Sequence, residues 1–213
     1  NKIFSSGSLT HLLTVVMGGQ LDIDIIKECH LYDLKISESL VSKYKGPKYG
    51  TDGVRKLLNA FNRPLVGGIV KPKTGLNMEN YLAIIKELIV GGVDFIKEDE
   101  ILGEIPGLPV LARTKEIDKM IAQLETPVIF APAINVDIES LDDTMNSLEV
   151  LKNVKAFHFN FWGGLDLFKY ISHRSRKAAF YQKSGDRIIA KGPYSINFKV
   201  WCKLIRLAGA DFT

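Results

Sequence analysis

The chain has 213 residues, 46% hydrophobic and 24% charged, which suits one substantial globular domain or part of a larger one and argues against disorder. Its 28 basic and 24 acidic residues leave a net charge of +4 with the lysines scattered, so no nucleic-acid partner is predicted. No stretch approaches the roughly 18 apolar residues of a membrane span, which predicts no membrane partner.

The two cysteines, Cys29 and Cys202, lack metal-ligand spacing and fit a reducing cytoplasm. The chain opens without a methionine or the charged-then-apolar pattern of a signal peptide, as an excised piece would.

In chain order, the apolar spacing of Leu9, Leu12, Leu13 and Val16 predicts a helix from Ser8 to Gly18. A short strand is predicted over Ile26 to Leu34 and a helix over Asp52 to Phe61. A buried strand follows between Pro64 and Lys71. The helix Met78 to Val90 then ends at Gly91-Gly92. Strands are predicted at Val93 to Lys97, Val128 to Ile134 and Ala156 to Phe161, with helices around Ile117 to Leu124 and Leu141 to Leu151 between them. This alternation argues for a parallel α/β fold, and the successive units favour a barrel over an open sheet.

Two features resist a complete barrel. The run Leu167 to Ser172 reads as a further strand, yet only Leu165 and Asp166 separate it from Gly164. A parallel crossover needs about a dozen residues, so a helix is expected to be lacking near Asp166. Ala208 to Thr213 reads as a strand just beginning, and later strands are expected to be lacking after Thr213.

Chemistry concentrates at two strand ends. Lys97 and Asp99 are two apart and leave the same face, and Glu100 sits where the strand ends. In a parallel barrel that is the mouth, where two carboxylates suit magnesium. Lys97, if carbamylated by carbon dioxide, would be a third oxygen ligand. An alternating ion-pair surface is the competing reading. Lys71 and Lys73 are likewise two apart at a strand end, where mutual repulsion favours proton loss and suits a general base, an enolate stabiliser or a phosphate contact. One of them simply reaching solvent is the alternative. His173-Arg174, following the run read as a fifth strand, could hold a substrate hydroxyl and a phosphate, although such pairs are usually structural. His158 reads as a core histidine.

The run Gly92-Val93-Asp94-Phe95-Ile96-Lys97-Glu98-Asp99-Glu100 resembles the active-site signature of RuBisCO large chains. The segment from Arg63-Pro64-Leu65 to Lys71-Pro72-Lys73-Thr74-Gly75-Leu76 resembles the family's first barrel strand, and Gly46-Pro47, Gly50, Arg55, His173-Arg174 and Arg206 to Asp211 look like further landmarks. The resemblance implies a TIM (β/α)8 barrel of the RuBisCO large-chain type, covered here for about strands 1 to 5 and the start of 6. Residues 1–62 would be the end of an N-terminal α/β domain and a linker, and residues 63–213 the first part of the barrel. It also implies Lys97, Asp99 and Glu100 as Mg2+ ligands, with CO2 held as a carbamate on Lys97. Lys71 would abstract a proton, Lys73 support the enediolate, His173 contact substrate and Arg174 bind phosphate. The site would be shared across a homodimer or larger homo-oligomer.

Three positions depart from the carboxylase pattern: Gly19 where an asparagine is expected, Ile69 where a threonine is expected, and Lys177, assigned to substrate binding, where a histidine is expected. These departures favour a RuBisCO-like enzyme that enolises, isomerises, tautomerises or decarboxylates a phosphorylated keto sugar or keto acid. A genuine ribulose-1,5-bisphosphate carboxylase and a noncatalytic vestigial or binding protein are the alternatives.

Overall fold

The computed structural model describes residues 7–213. Five parallel strands follow one another in sequence order: β2 (Gly67–Ile69), β3 (Phe95–Lys97), β4 (Ile129–Ala131), β5 (Ala156–Asn160) and β6 (Ala178–Gln182). They are preceded by α1 (Leu9–Met17), β1 (Cys29–Leu31), α2 (Glu38–Val41) and α3 (Gly50–Leu57). The crossovers are α4 (Met78–Val90), α5 (Val110–Ile121), α6 (Ile138–Glu149) and α7 (Leu165–Arg174). After β6 come α8 (Arg187–Ala190), β7 (Tyr194–Ile196) and α9 (Phe198–Leu207).

Ladders join β2 to β3, β3 to β4 and β5 to β6. Between β4 and β5 the sheet continues through a parallel bridge, Ala133 to His158, with the His158 amide donating to Pro132 O at 2.8 Å and the Ile134 amide to His158 O at 2.8 Å. Beyond β6, Phe180 bridges Phe212 in the same sense, as expected of a strand beginning there. An arc of parallel strands, each returned by a helix, is the first part of a (β/α) barrel.

The structure corrects one expectation outright. Leu167 to Ser172 is helix, part of α7, and it supplies the crossover expected to be lacking near Asp166. Leu165, Phe168 and Ile171 are buried at three-residue intervals, which is helical spacing. The local β-propensity of Phe, Tyr and Ile misdirects the strand reading. The strand end assigned to His173 and Arg174 is therefore the last turn of a helix.

Alternate residues of each strand separate two packing layers. Phe95, Ile129, Ala131, Ala156, Ala178, Phe180 and Phe212 form one cluster with Val54 and Leu58. Their neighbours Ile96, Phe130, Phe157, Ala179 and Tyr181 join the larger cluster with the crossover helices. The first set is the barrel interior, closed from below by α3. Asp211, 3% exposed, fixes that closure by accepting from the amides of Tyr49 (2.6 Å), Gly50 (2.8 Å) and Ala179 (2.8 Å). Gly50, at φ +59, adopts a left-handed turn that side chains resist.

Asp166, in the first turn of α7, anchors α1. Its carboxylate accepts from the amides of Leu9 (3.2 Å) and Thr10 (2.8 Å), and Lys169 lies 2.9 Å away. Burial pushes its pKa up, but Lys169 and these amides outweigh that and hold it well below the usual 3.8. Because the folded-state value is depressed, this anchoring is fully present above pH 3.8 and is lost as the pH falls through the lowered value. In acid titrations followed by melting temperature, Asp166→Asn should lower stability near neutrality and flatten the decline below pH 3.8. An unchanged acid limb would show that the contact contributes nothing.

Candidate active site at the strand ends

The two-layer alternation fixes which side chains meet. Phe95 faces inward, so Lys97 and then Asp99 do too, while Glu98 follows Ile96 outward. Ile69 pairs with Lys97 across the ladder, and Lys71, two residues on, reaches the same mouth. Its ammonium donates to Asp99 Oδ2, whose other oxygen accepts from the Ile101 amide at 3.1 Å. Lys97 Nζ lies 3.3 Å from Glu100 Oε2. Gln182 Nε2 and Ser184 Oγ also reach Glu100, each at 3.4 Å.

Lys97 and Asp99 are 5% and 1% exposed, so their charges are held close in a weakly screening interior. Burial pushes the Asp99 carboxyl upward, but Lys71 and the Ile101 amide bring it below the usual range. Glu100 is likewise lowered: burial opposes, while its own amide and the Lys97 charge prevail over Asp99. Lys73 adds its charge near Asp99.

Among the described residues, no three His, Cys, Asp or Glu side chains are grouped to hold a metal ion. The bare site balances Lys71 and Lys97 against Asp99 and Glu100. Converting Lys97 from ammonium to carbamate changes its charge from positive to negative and supplies the missing oxygens. Three anionic oxygen donors, with Lys71 and Lys73 near Asp99, make a set that a hard divalent cation fits. The donor chemistry thus accommodates magnesium through a modified Lys97.

Glu98 does a different job. Fully buried, it accepts from the Tyr81 hydroxyl, from Arg113 Nε and Nη2 at 2.7 and 2.8 Å, and from the Ala133 amide at 2.7 Å. Arg113, also fully buried, donates to Gly103 O (2.9 Å) and Leu108 O (2.7 Å), in the loop after Glu100. Asn135 Nδ2 holds the same loop through Glu100 O (2.5 Å) and Leu102 O (2.6 Å). The inward donors are therefore held from behind. Arg113 occupies a core position of α5 beside Val110, Thr114 and Ile117. A basic residue at such a position was the signal that could have disclosed this pair.

The remaining candidates lie elsewhere. His173 and Arg174 end α7 and Lys177 precedes β6, so all three sit at the N-terminal ends of the strands, opposite Lys97. Burial, then the charges of Lys45, Lys169 and Lys48, lower the His173 pKa. The Arg174 guanidinium stacks over Tyr170 at 5.0 Å. Lys177 donates to Leu151 O (2.7 Å) and Val154 O (2.5 Å), capping the chain after α6. Substrate contacts are not what this geometry offers these three side chains, because the sheet lies between them and the mouth.

Sequence reading missed the groups that follow β6. A cavity of about 490 Å³ is lined there by His30, Lys183, Arg187, Lys191 and Ser195, among others. Lys183 directly follows Gln182, which contacts Glu100, and its ammonium lies 4.8 Å over the Phe198 ring in this cavity's lining. His158, in β5, also faces the interior. It is 1% exposed, and burial and the nearby Lys97 charge press its pKa down to about 3.

Arg113→Leu should cost about 3–5 kcal/mol in urea unfolding, because it leaves the buried Glu98 charge uncompensated. A loss below about 1 kcal/mol would mean that the pair is not needed to hold the strand end.

Comparison with known proteins accords with this geometry. The profile of the ribulose bisphosphate carboxylase large chain, catalytic domain, matches residues 50–213. A ribulose bisphosphate carboxylase of Methanosarcina mazei is 39% identical over 103 residues, covering 48% of this chain and 24% of that protein. Among solved structures, a rubisco-like protein from Burkholderia fungorum superposes with a TM-score of 0.90 at 23% identity, covering 97% of this chain and 52% of that one. A rubisco-like protein (MtnW) from Alicyclobacillus acidocaldarius superposes at 0.83 with 28% identity, covering 96% and 53%. The chain thus spans about half the length of these solved relatives. With the strand arc, the inward lysines and carboxylates and the family profile in agreement, the chain belongs to the RuBisCO large-chain family and has that family's barrel-type fold.

Proposed function

We propose that this chain supplies the metal-binding half of a RuBisCO-like enzyme that enolises a phosphorylated keto sugar or keto acid. The observation that carries the reading is the convergence of Lys71, Lys97, Asp99 and Glu100 on the inward side of one barrel mouth, with charges that balance only while Lys97 remains an ammonium. Carbamylated Lys97, Asp99 and Glu100 would hold magnesium, which when bound polarises a substrate carbonyl. Lys71 would take the proton from the adjacent carbon as a neutral amine, after it leaves Asp99 and gives up its own ammonium proton to solvent. Lys73 offers positive charge to the developing oxyanion. Lys183, Arg187 and Lys191 suit the phosphate, replacing Arg174 in that role.

Carboxylation is the second reading, favoured by the Methanosarcina mazei match. Against it stand Ile69 and Gly19, apolar or bare where the family resemblance expects polar contacts; Lys177, on the far side of the sheet, no longer bears on the question. The crossover formed by α7 removes one of the two reasons for reading the chain as a broken, vestigial barrel, the helix expected to be lacking near Asp166. The family resemblance extends the proposal to a homo-oligomer with a shared site. Among the described residues no helix is long and apolar enough to cross a membrane.

The decisive measurement is solvent deuterium exchange into phosphorylated ketoses and keto acids, with magnesium and bicarbonate present. Lys97→Ala should abolish metal-dependent exchange, and full exchange in that variant would end the mechanism. Incorporation of labelled bicarbonate into ribulose bisphosphate would select the carboxylase instead. Lys183→Ala should raise KM about tenfold, the scale of one charge-assisted contact, with a smaller change in kcat. An unaltered KM would place the phosphate elsewhere.

A further inference from the structure

His158 is the interior group that the proposed mechanism leaves unused. Its neighbours along the sheet are small or apolar: Ala133 across the bridge on one side and Phe180 across the ladder on the other. The Phe180 ring meets the imidazole edge-on at 5.5 Å and also lies 5.9 Å from Lys97 Nζ. Between Lys97 and His158 the sheet runs through one strand, on which Ala131 pairs with Lys97 and Ala133 bridges His158. Neither ring nitrogen of His158 has a hydrogen-bond partner among the described residues.

Such an arrangement is costly, because a buried unpaired polar atom forfeits its hydration without recompense. Any neutral imidazole carries one N–H and has no acceptor here: of the two charged side chains that act on it, Lys97 is a donor, and Asp99 makes no hydrogen bond to it. Carbamylation reverses that relation. The Lys97 ammonium loses a proton, its nitrogen forms a bond to the carbon of CO2, and a second proton leaves the nitrogen. Two protons are released, and a cation becomes an anion bearing two acceptor oxygens.

We propose that His158 is a positioning residue whose ring N–H donates to the carbamate built on Lys97, so that the barrel interior is preorganised for the modified rather than the free lysine. This role rests on the carbamate reading of the site and adds to it a donor that selects the modified state. Ala131 and Ala133, on the strand between Lys97 and His158, carry no side-chain polar group to compete for the ring N–H. Phe180 limits the ring on its other side.

The test is carbamate formation itself, read by 13C NMR of the intact protein under 13CO2, without substrate, with Lys97→Ala as the blank. His158→Leu should require about tenfold more CO2 for half-occupancy, the effect of losing one hydrogen bond to a charged group. His158→Gln, which keeps a donor, should recover most of that loss. The Leu variant should not melt below the parent, since it removes an unpaired polar group. Should it fail to fold, His158→Phe against His158→Gln gives the same comparison. Equal CO2 dependence in parent, Leu or Phe, and Gln proteins would overturn the role of His158 while leaving the carbamate intact. No Lys97-dependent signal in the parent would remove both.

Discussion

The buried pair of Glu98 and Arg113 holds the end of β3, and with it the geometry of every inward donor. Both side chains are withdrawn completely from solvent, where an unpaired charge would be intolerable, and the fork of the guanidinium meets both carboxylate oxygens. Burial alone would make Arg113 easier to deprotonate, yet the adjoining carboxylate more than reverses this. The same arginine grips two carbonyls of the following loop, so strand end, loop and α5 move as one body. Buried ion pairs are poor sources of net stability compared with apolar packing, and their worth here is geometric: they remove alternative positions for Lys97, Asp99 and Glu100.

A period of two residues divides the labour along this strand. Lys97 and Asp99 turn to the mouth, Glu98 turns to the helices, and one short tripeptide thus serves both chemistry and anchorage. The inward set is electrically closed in its unmodified form, with each carboxylate matched to an ammonium. Holding Asp99 and Glu100 below their usual pKa range keeps both ionised across the physiological span. Ionised oxygens are what a hard cation requires, so the lysines that occupy them also preserve them.

Much of this was legible in the sequence where local pattern and tertiary role coincide. The bounds of α4 follow from apolar spacing and the two glycines that end it, and the Gly92 to Glu100 motif lies where a strand meets the mouth. Legibility failed where propensity and context diverge. Leu167 to Ser172 has a β-prone composition, but its buried positions recur at helical intervals against the sheet. That single error moved His173, Arg174 and Lys177 to the wrong end of the barrel. The Glu98–Arg113 pair escaped for another reason: the basic core position in α5 signals a buried partner, but the two residues are 15 apart on different elements and no local rule names which carboxylate it is. His158 was read as a satisfied core residue because its burial is visible in an apolar strand, whereas its lack of a partner emerges only from three-dimensional neighbours.

The small parallel sheet of β1 and β7 has its own consequence. Cys29 to Leu31 align with Tyr194 to Ile196, and His30 Nδ1 lies 2.7 Å from Ser195 Oγ. One wall of the cationic cavity therefore comes from a segment about 165 positions away from the other. Closing so long a loop is entropically slow, which sets this junction among the late events of folding. A chain paused before that closure would already possess its Lys97–Glu100 strand end yet lack the wall that His30, Leu31 and Tyr32 give to this cavity.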